Sequence, residues 1–170
     1  MGRSNVGKSS LINALTRQKI ARTSAEPGKT RLANVYWIAR GSSAPFHLVD
    51  LPGFGYARRS KDAGPAFDDV AGAVFARQPA ALLLVDSRHP DLESDRAAWR
   101  WLSGAAAEAA VVATKIDKLT RGERIRALRQ LESVYEGPVV PVSATSGEGM
   151  EELWKLIARL SKPRPTNPNA

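Results

Sequence analysis

The sequence has no cysteine and only two histidines, His47 and His89. The first absence excludes a disulfide framework, a thiolate zinc site and a cysteine nucleophile, and the second excludes an imidazole metal cluster. No apolar run approaches the roughly 20 residues a helix needs to cross a bilayer. The opening Met1-Gly2-Arg3-Ser4-Asn5-Val6 lacks the apolar core of a signal peptide, and Val6 stands where a myristoylation motif has Ser or Thr. A cytoplasmic protein is therefore expected. What is present is ordinary globular usage, 43% hydrophobic and 25% charged over 170 residues, which suffices for one domain with its own core. Lys and Arg number 25 against 17 Asp and Glu, a net charge of +8. That balance suits a polyanionic partner without identifying one.

Five short aliphatic or β-branched runs read as strands: Ala33 to Ala39, Phe46 to Asp50, Ala81 to Asp86, Ala110 to Thr114 and Val139 to Val142. Between the later ones lie helical spacings, with Leu92, Trp99 and Leu102, then Ile125, Leu128 and Leu131, then Met150, Leu153, Trp154, Ile157 and Leu160. Unbroken apolar strands such as Ala81-Leu82-Leu83-Leu84-Val85 suit a parallel sheet covered on both faces. The pattern predicts an α/β layered domain over residues 1–160. Residues 161–170 hold three prolines and two asparagines with nothing to bury, and read as a loose tail.

Gly2-Arg3-Ser4-Asn5-Val6-Gly7-Lys8-Ser9 is a GxxxxGKS phosphate loop, followed by the helix-compatible Ser10 to Leu15. Its glycines let backbone N–H groups curl around phosphate oxygens, Lys8 reaches the β and γ phosphates, and the Ser9 hydroxyl is suited to Mg²⁺. This motif alone fits an ATPase or a kinase equally well. Asp50-Leu51-Pro52-Gly53 follows the strand that ends at Val49. Asp50 there is placed to hold a water of the Mg²⁺ shell and the Gly53 N–H to sense a γ-phosphate, although the same four residues also make an ordinary turn.

Thr114-Lys115-Ile116-Asp117 decides between bases. Guanine offers N1–H and a 2-amino group side by side, which one carboxylate accepts in a bidentate bond, whereas adenine has an unprotonated N1 and no 2-amino group. Asp117 thus selects guanine, with the Lys115 stem along the base. Ser143-Ala144-Thr145 follows the last strand, and a backbone N–H at Ala144 there suits guanine O6. All four signatures lie after strands or before a helix, as one ligand at the carboxyl edge of a sheet requires.

These residues resemble the EngB family of bacterial GTPases, also called YihA or YsxC, which is implicated in assembly of the large ribosomal subunit. The match runs over about residues 2 to 160. Ala21-Arg22-Thr23-Ser24 with Pro27-Gly28-Lys29-Thr30 is similar to the family's first switch, and Asp50-Leu51-Pro52-Gly53-Phe54-Gly55-Tyr56-Ala57 to its second. The resemblance implies a three-layer, Ras-like P-loop GTPase domain with a mostly parallel sheet. It implies GTP or GDP held by Gly2, Arg3, Ser4, Asn5, Val6, Gly7, Lys8, Ser9 and Ser10 and, around the base, by Thr114, Lys115, Asp117, Ser143, Ala144 and Thr145. Mg²⁺ would lie at Ser9, Thr30 and Asp50, and Lys8, Thr30 and Gly53 would act on the γ-phosphate, with Thr23 and Ser24 as weaker alternatives to Thr30.

Several features depart from common GTPase patterns. Thr114 stands where most such enzymes have asparagine, which the EngB family tolerates. Phe54 occupies the usual place of a water-orienting glutamine, so unaided hydrolysis is expected below roughly 10⁻² per second. Asn5 resembles the asparagine that supports a potassium ion in some relatives, and equally suits a loop residue with an unusual backbone angle. The resemblance also places a central strand before the phosphate loop, yet Gly2 follows directly on Met1. The sheet is expected to lack that strand, leaving apolar side chains worth roughly 1.5–3 kcal/mol each without burial, and an N-terminal truncation or a misassigned initiation codon is the expected cause.

Basic residues gather at Arg17, Lys19, Arg22, Lys29 and Arg31, at Arg58, Arg59 and Lys61, and at Arg121, Arg124, Arg126 and Arg129. The first two groups flank the switches, which predicts a hold on ribosomal RNA in the large subunit or its precursor that depends on the bound nucleotide; a monomer is expected. The expected function is a slowly hydrolysing GTP switch in large-subunit assembly. The alternatives are a ribosome- or RNA-binding adaptor with impaired turnover, and another P-loop NTPase.

Overall fold

The run Ala81 to Val85 is apolar at both parities, so a strand built from it must be covered on both sides. It forms β3 (Ala80–Asp86), which pairs in parallel with β4 (Glu108–Thr114), and β4 pairs in parallel with β5 (Val139–Pro141). Leu83 lies opposite Val111 and Val111 opposite Val139. In the computed structural model the described residues are 1–21, 33–41, 44–51 and 64–162, with only the backbone described for 64–68. On one face of the parallel sheet, α3 (Glu93–Ala105) and α4 (Arg121–Val134) bury Leu102 and Leu131, with Tyr135 just beyond α4. On the other, α1 (Lys8–Thr16) and α5 (Met150–Leu160) bury Leu11, Leu15, Leu153 and Ile157. The result is the α/β layered arrangement expected from the strand and helix pattern, in the three layers that the resemblance implies.

Local signals explain where the helices begin. Thr120 caps α4 in a capping box, its backbone N–H donating to Glu123 Oε2 at 2.8 Å. Trp99 and Trp101 sit on opposite sides of α3. Trp99 is buried edge-on to Tyr135, whereas Trp101 is exposed and rests edge-on against Phe75, 4.7 Å between centroids. The last helix ends at Leu160, Ser161 and Lys162 turn off it, and residues 163–170 lie outside the described residues. Among the described residues no helix is long and apolar enough to cross a membrane.

β1 (Asn34–Ile38) and β2 (Phe46–Asp50) form an antiparallel pair with Trp37 opposite His47. Among the described residues this pair is a sheet of its own, separate from β3-β4-β5. Met1 and Gly2 lie instead against β3. Gly2 makes an isolated parallel bridge with Leu84, the Met1 carbonyl accepts from the Leu84 N–H at 2.8 Å, and the Met1 ammonium donates to the Leu82 carbonyl at 2.6 Å. Burial, with Lys8 nearby, pulls the pKa of that ammonium down to about 5. One helix is not evident in the sequence: α2 (Gly64–Phe75) packs Val70, Ala71, Val74 and Phe75 into the core below β3.

Candidate nucleotide site

The phosphate loop needs backbone angles that most side chains resist. Gly7 has φ 102° and ψ 16° and precedes α1 without any side-chain cap, so the first N–H groups of that helix are left for an anion. No acidic residue stands in the first turn to compete. Gly2 is required for a different reason, because a Cβ there would lie 2.9 Å from the Leu84 carbonyl oxygen and 2.9 Å from Val6 Cγ1. Asn5 is exposed with φ 62°, in the left-handed region that Asn tolerates better than most residues.

The loop is held from below by side chains of the other signatures. The buried Thr114 hydroxyl donates to the Val6 carbonyl at 2.7 Å, with the Val85 carbonyl at 3.1 Å also in reach. Thr114 thus faces into the fold and acts on the loop. Lys115 Nζ donates to the Asn5 carbonyl at 2.6 Å and to Asp86 Oδ2 at 2.9 Å, so its stem crosses beside Gly7. Burial would raise the Asp86 carboxyl, but hydrogen bonds from Arg88 and Lys115 outweigh it and hold the group well below the usual carboxylate range. Arg3 forks onto the fully buried Asp95, with Nε 2.9 Å from Oδ1 and 3.0 Å from Oδ2.

On the base side the third and fourth signatures meet. The Ser143 hydroxyl on the Asp117 carboxylate outweighs partial burial and holds that carboxyl below its ordinary range, with Lys118 adding a further pull. The same Ser143 Oγ accepts from the N–H groups of Thr145 at 3.2 Å and Ser146 at 3.0 Å. These bonds shape a tight loop that returns to α5 through Gly149, whose φ is 75° and where a Cβ would fall 1.9 Å from the Pro141 carbonyl oxygen. Ala144 sits half-buried at the turn, and its N–H has no partner among the described residues.

On the phosphate side, Asp50 ends β2 and is buried. Its Oδ1 lies 3.4 Å from Lys8 Nζ, yet accepts no hydrogen bond among the described residues. An orphaned buried carboxylate oxygen beside the loop lysine fits the water shell of Mg²⁺, and the half-exposed Ser9 hydroxyl, with no protein partner among those residues, fits its direct coordination. Thr30 and Gly53, with Thr23, Ser24 and Phe54, lie outside the described residues, as do Arg22, Lys29, Arg31, Arg58, Arg59 and Lys61.

Two positions carry roles that the sequence pattern does not announce. Asp95, in the first turn of α3, reads as a helix-dipole carboxylate but anchors Arg3. Asp86 has a usable signal, an acidic residue closing a strand that is otherwise apolar.

Comparison with known proteins bears on the family and the fold. A family model described as 50S ribosome-binding GTPase matches residues 1–118. The EngB GTP-binding protein of Alkaliphilus metalliredigens is 40% identical over 164 residues, 92% of this chain and 77% of that protein. The Chlorobium luteolum protein of the same name is 46% identical over 158 residues, covering 89% and 74%. Among solved structures, Aquifex aeolicus Era bound to GDP and aluminium fluoride aligns with a TM-score of 0.82 at 24% identity, over 98% of this chain and 57% of Era, a likeness of fold. The G domain of the Thermotoga maritima FeoB iron transporter aligns at 0.63 and 28% identity, over 95% of both chains.

Proposed function

The chain belongs to the EngB family of GTP-binding proteins, and on that premise we propose that it is a GTP-hydrolysing switch, cytoplasmic and monomeric, that assists assembly of the large ribosomal subunit. Residues 1–160 are its GTPase domain. The observation that carries the reading is the joining of signatures far apart in sequence: Val6 to Thr114 and Asn5 to Lys115. Such ties support a phosphate cradle, a guanine-selective carboxylate and an O6 donor gathered around one volume.

Within that volume the N–H groups of Gly7, Lys8 and Ser9 take the β-phosphate and Lys8 spans to the γ-phosphate. Lys8 Nζ lies 3.4 Å from Asp50 Oδ1, a contact loose enough for the triphosphate to draw the lysine away. Ser9, with Asp50 behind it, would hold Mg²⁺, whose positive charge would offset that of the phosphates. Asp117 accepts guanine N1–H and the 2-amino group; its depressed pKa keeps it an acceptor throughout the physiological range. Ala144 donates to O6. The family resemblance assigns Thr30 and Gly53 to the γ-phosphate, and Phe54, in place of a water-orienting glutamine, implies slow hydrolysis.

The ribosomal partner is supported by charge as well as kinship. Arg17 and Lys19 are exposed beyond α1, and Arg121, Arg126 and Arg129 are exposed on α4, whereas Arg124 is engaged with Glu148 and the Ile116 carbonyl. A competition titration tests the reading. Labelled GDP is expected to be displaced by GTP and to survive a hundredfold excess of ATP; equal displacement by ATP overturns it.

A further inference from the structure

The phosphate loop is held from two sides. Its second half hangs from the end of β4, through Thr114 on the Val6 carbonyl and Lys115 on the Asn5 carbonyl. Its first half is held by α3. Between Gly2, which bridges to Leu84, and Asn5, the side-chain tie among the described residues is the Arg3 fork, with Nε 2.9 and 3.0 Å from the two Asp95 oxygens. The Arg3 carbonyl in turn accepts from the Val6 N–H at 3.4 Å, so the place of Arg3 is passed on to the turn of the loop. Asp95 is delivered by a rigid element. Its N–H closes the first turn of α3 on the Leu92 carbonyl, and the helix is fixed by the buried Trp99 and Leu102. Arg3 belongs to the stretch expected from the family resemblance to hold the nucleotide, yet burial opposes that role for its side chain. The Asp95 side chain is 0% exposed, and burial pushes its carboxyl up against the pull of Arg3. Drawing the guanidinium onto a phosphate would strand that carboxylate in the core, at heavy cost.

We propose that Asp95 is a positioning residue for nucleotide binding: through Arg3 it holds the first half of the phosphate loop in its cradle shape, and Arg3 acts as a strut and not as a ligand of the phosphates. The proposal rests on the GTPase reading of the site. The loop needs such support because Asn5 sits at φ 62°, a left-handed angle that a side chain keeps only where the surroundings impose it. Tied at its second half alone, the loop relaxes. The N–H groups of Gly7, Lys8 and Ser9 then lose their common aim at one anion.

The paired replacement Arg3→Met with Asp95→Leu removes the strut without stranding a charge, an exchange of a buried ion pair for apolar side chains that leaves stability near neutral. Its Tm is expected to stay within about 3 °C of the parent. GDP is expected to bind roughly 10- to 100-fold more weakly, and hydrogen exchange at the Asn5 and Val6 amides of the nucleotide-free protein to quicken. A pair that serves stability alone would leave affinity and exchange unchanged once Tm is restored. The single variant Asp95→Leu, in which the Arg3 guanidinium is free to turn to solvent, separates strut from ligand. GDP affinity falls there if Arg3 is a strut, and holds or rises if the freed charge reaches the phosphates. Parental GDP affinity and amide exchange in the paired variant overturn the proposal, and so does undiminished GDP affinity in Asp95→Leu. The exchange measurement uses no nucleotide, so a parent protein that binds no GDP defeats the GTPase reading while exchange at Asn5 and Val6 still decides whether Asp95 holds the loop.

Discussion

Thr114 and Val6 are joined by a buried hydrogen bond of 2.7 Å that runs from the end of β4 to the underside of the phosphate loop. The residue where many GTPases carry asparagine thus has a mechanical role, holding the loop against the sheet. Replacing Thr114 by Val keeps the shape, removes the donor and leaves the Val6 carbonyl without its partner. A loss of ~1–3 kcal/mol is expected, read as a fall in Tm of about 2–4 °C for each kcal/mol, together with weaker GDP binding. Thr114→Ser retains the hydroxyl and is expected to retain both. Unchanged Tm and Kd in the valine variant would show that the bond does not position the loop.

The proposed choice of guanine rests on Asp117. In Asp117→Asn the acceptor pair becomes one acceptor and one donor, which clashes with the guanine 2-amino group and matches the 2-oxo group of xanthine. Loss of a charge-assisted pair worth ~1.5–3 kcal/mol predicts about 10- to 100-fold weaker GDP binding with a relative gain for XDP. Equal weakening of both nucleotides would place Asp117 in a structural role.

Much of the fold and of the site is legible in the sequence. The β3 run is apolar at both parities, so only a covered parallel strand suits it, and the glycines and Lys8 of the phosphate loop carry their chemistry in their spacing. Other features depend on contacts that no local pattern encodes. The Ser143 hydroxyl acts on Asp117 only because β4 and β5 lie side by side, and Asp95 meets Arg3 only because α3 packs against that end of the sheet. The helix α2 is masked in the sequence by Gly64, Pro65 and Gly72, which read as breakers until the apolar spacing of Val70, Val74 and Phe75 finds a core to enter.

The Asp86 carboxylate predicts a specific pH response. Its folded pKa is depressed below the ordinary 3.8, so the stability it contributes is complete above that value and is lost as pH falls below it. Asp86→Asn is expected to cost ~1–3 kcal/mol at pH 7 by stranding Lys115 and Arg88. The gap between variant and parent should narrow below pH 3.8. Urea denaturation at pH 7 and pH 3 checks this, and a gap of constant size would remove the pairing as its cause.

Gly149 is fixed by geometry. With φ at 75° and a Cβ position 1.9 Å from the Pro141 carbonyl oxygen, Gly149→Ala must displace the loop that carries Ala144. The expected cost is ~3 kcal/mol or more, with guanine binding lost before the fold is. Retained GDP affinity together with an unshifted Tm would contradict the described loop geometry.

Asn5 bears on the source of catalytic charge. Its φ of 62° explains an asparagine in the loop on backbone grounds alone, while its exposed side chain would also suit holding a potassium ion, whose positive charge would supply what an arginine finger supplies. The two explanations part in the kinetics. If the ion acts, turnover in K⁺ exceeds that in Na⁺ at equal ionic strength by at least about tenfold, and Asn5→Gly, which keeps the backbone angle, abolishes the difference while leaving GDP affinity in place. Equal rates in the two salts would leave Asn5 as a loop residue only, and the missing glutamine at Phe54 would then have to be compensated on the ribosome.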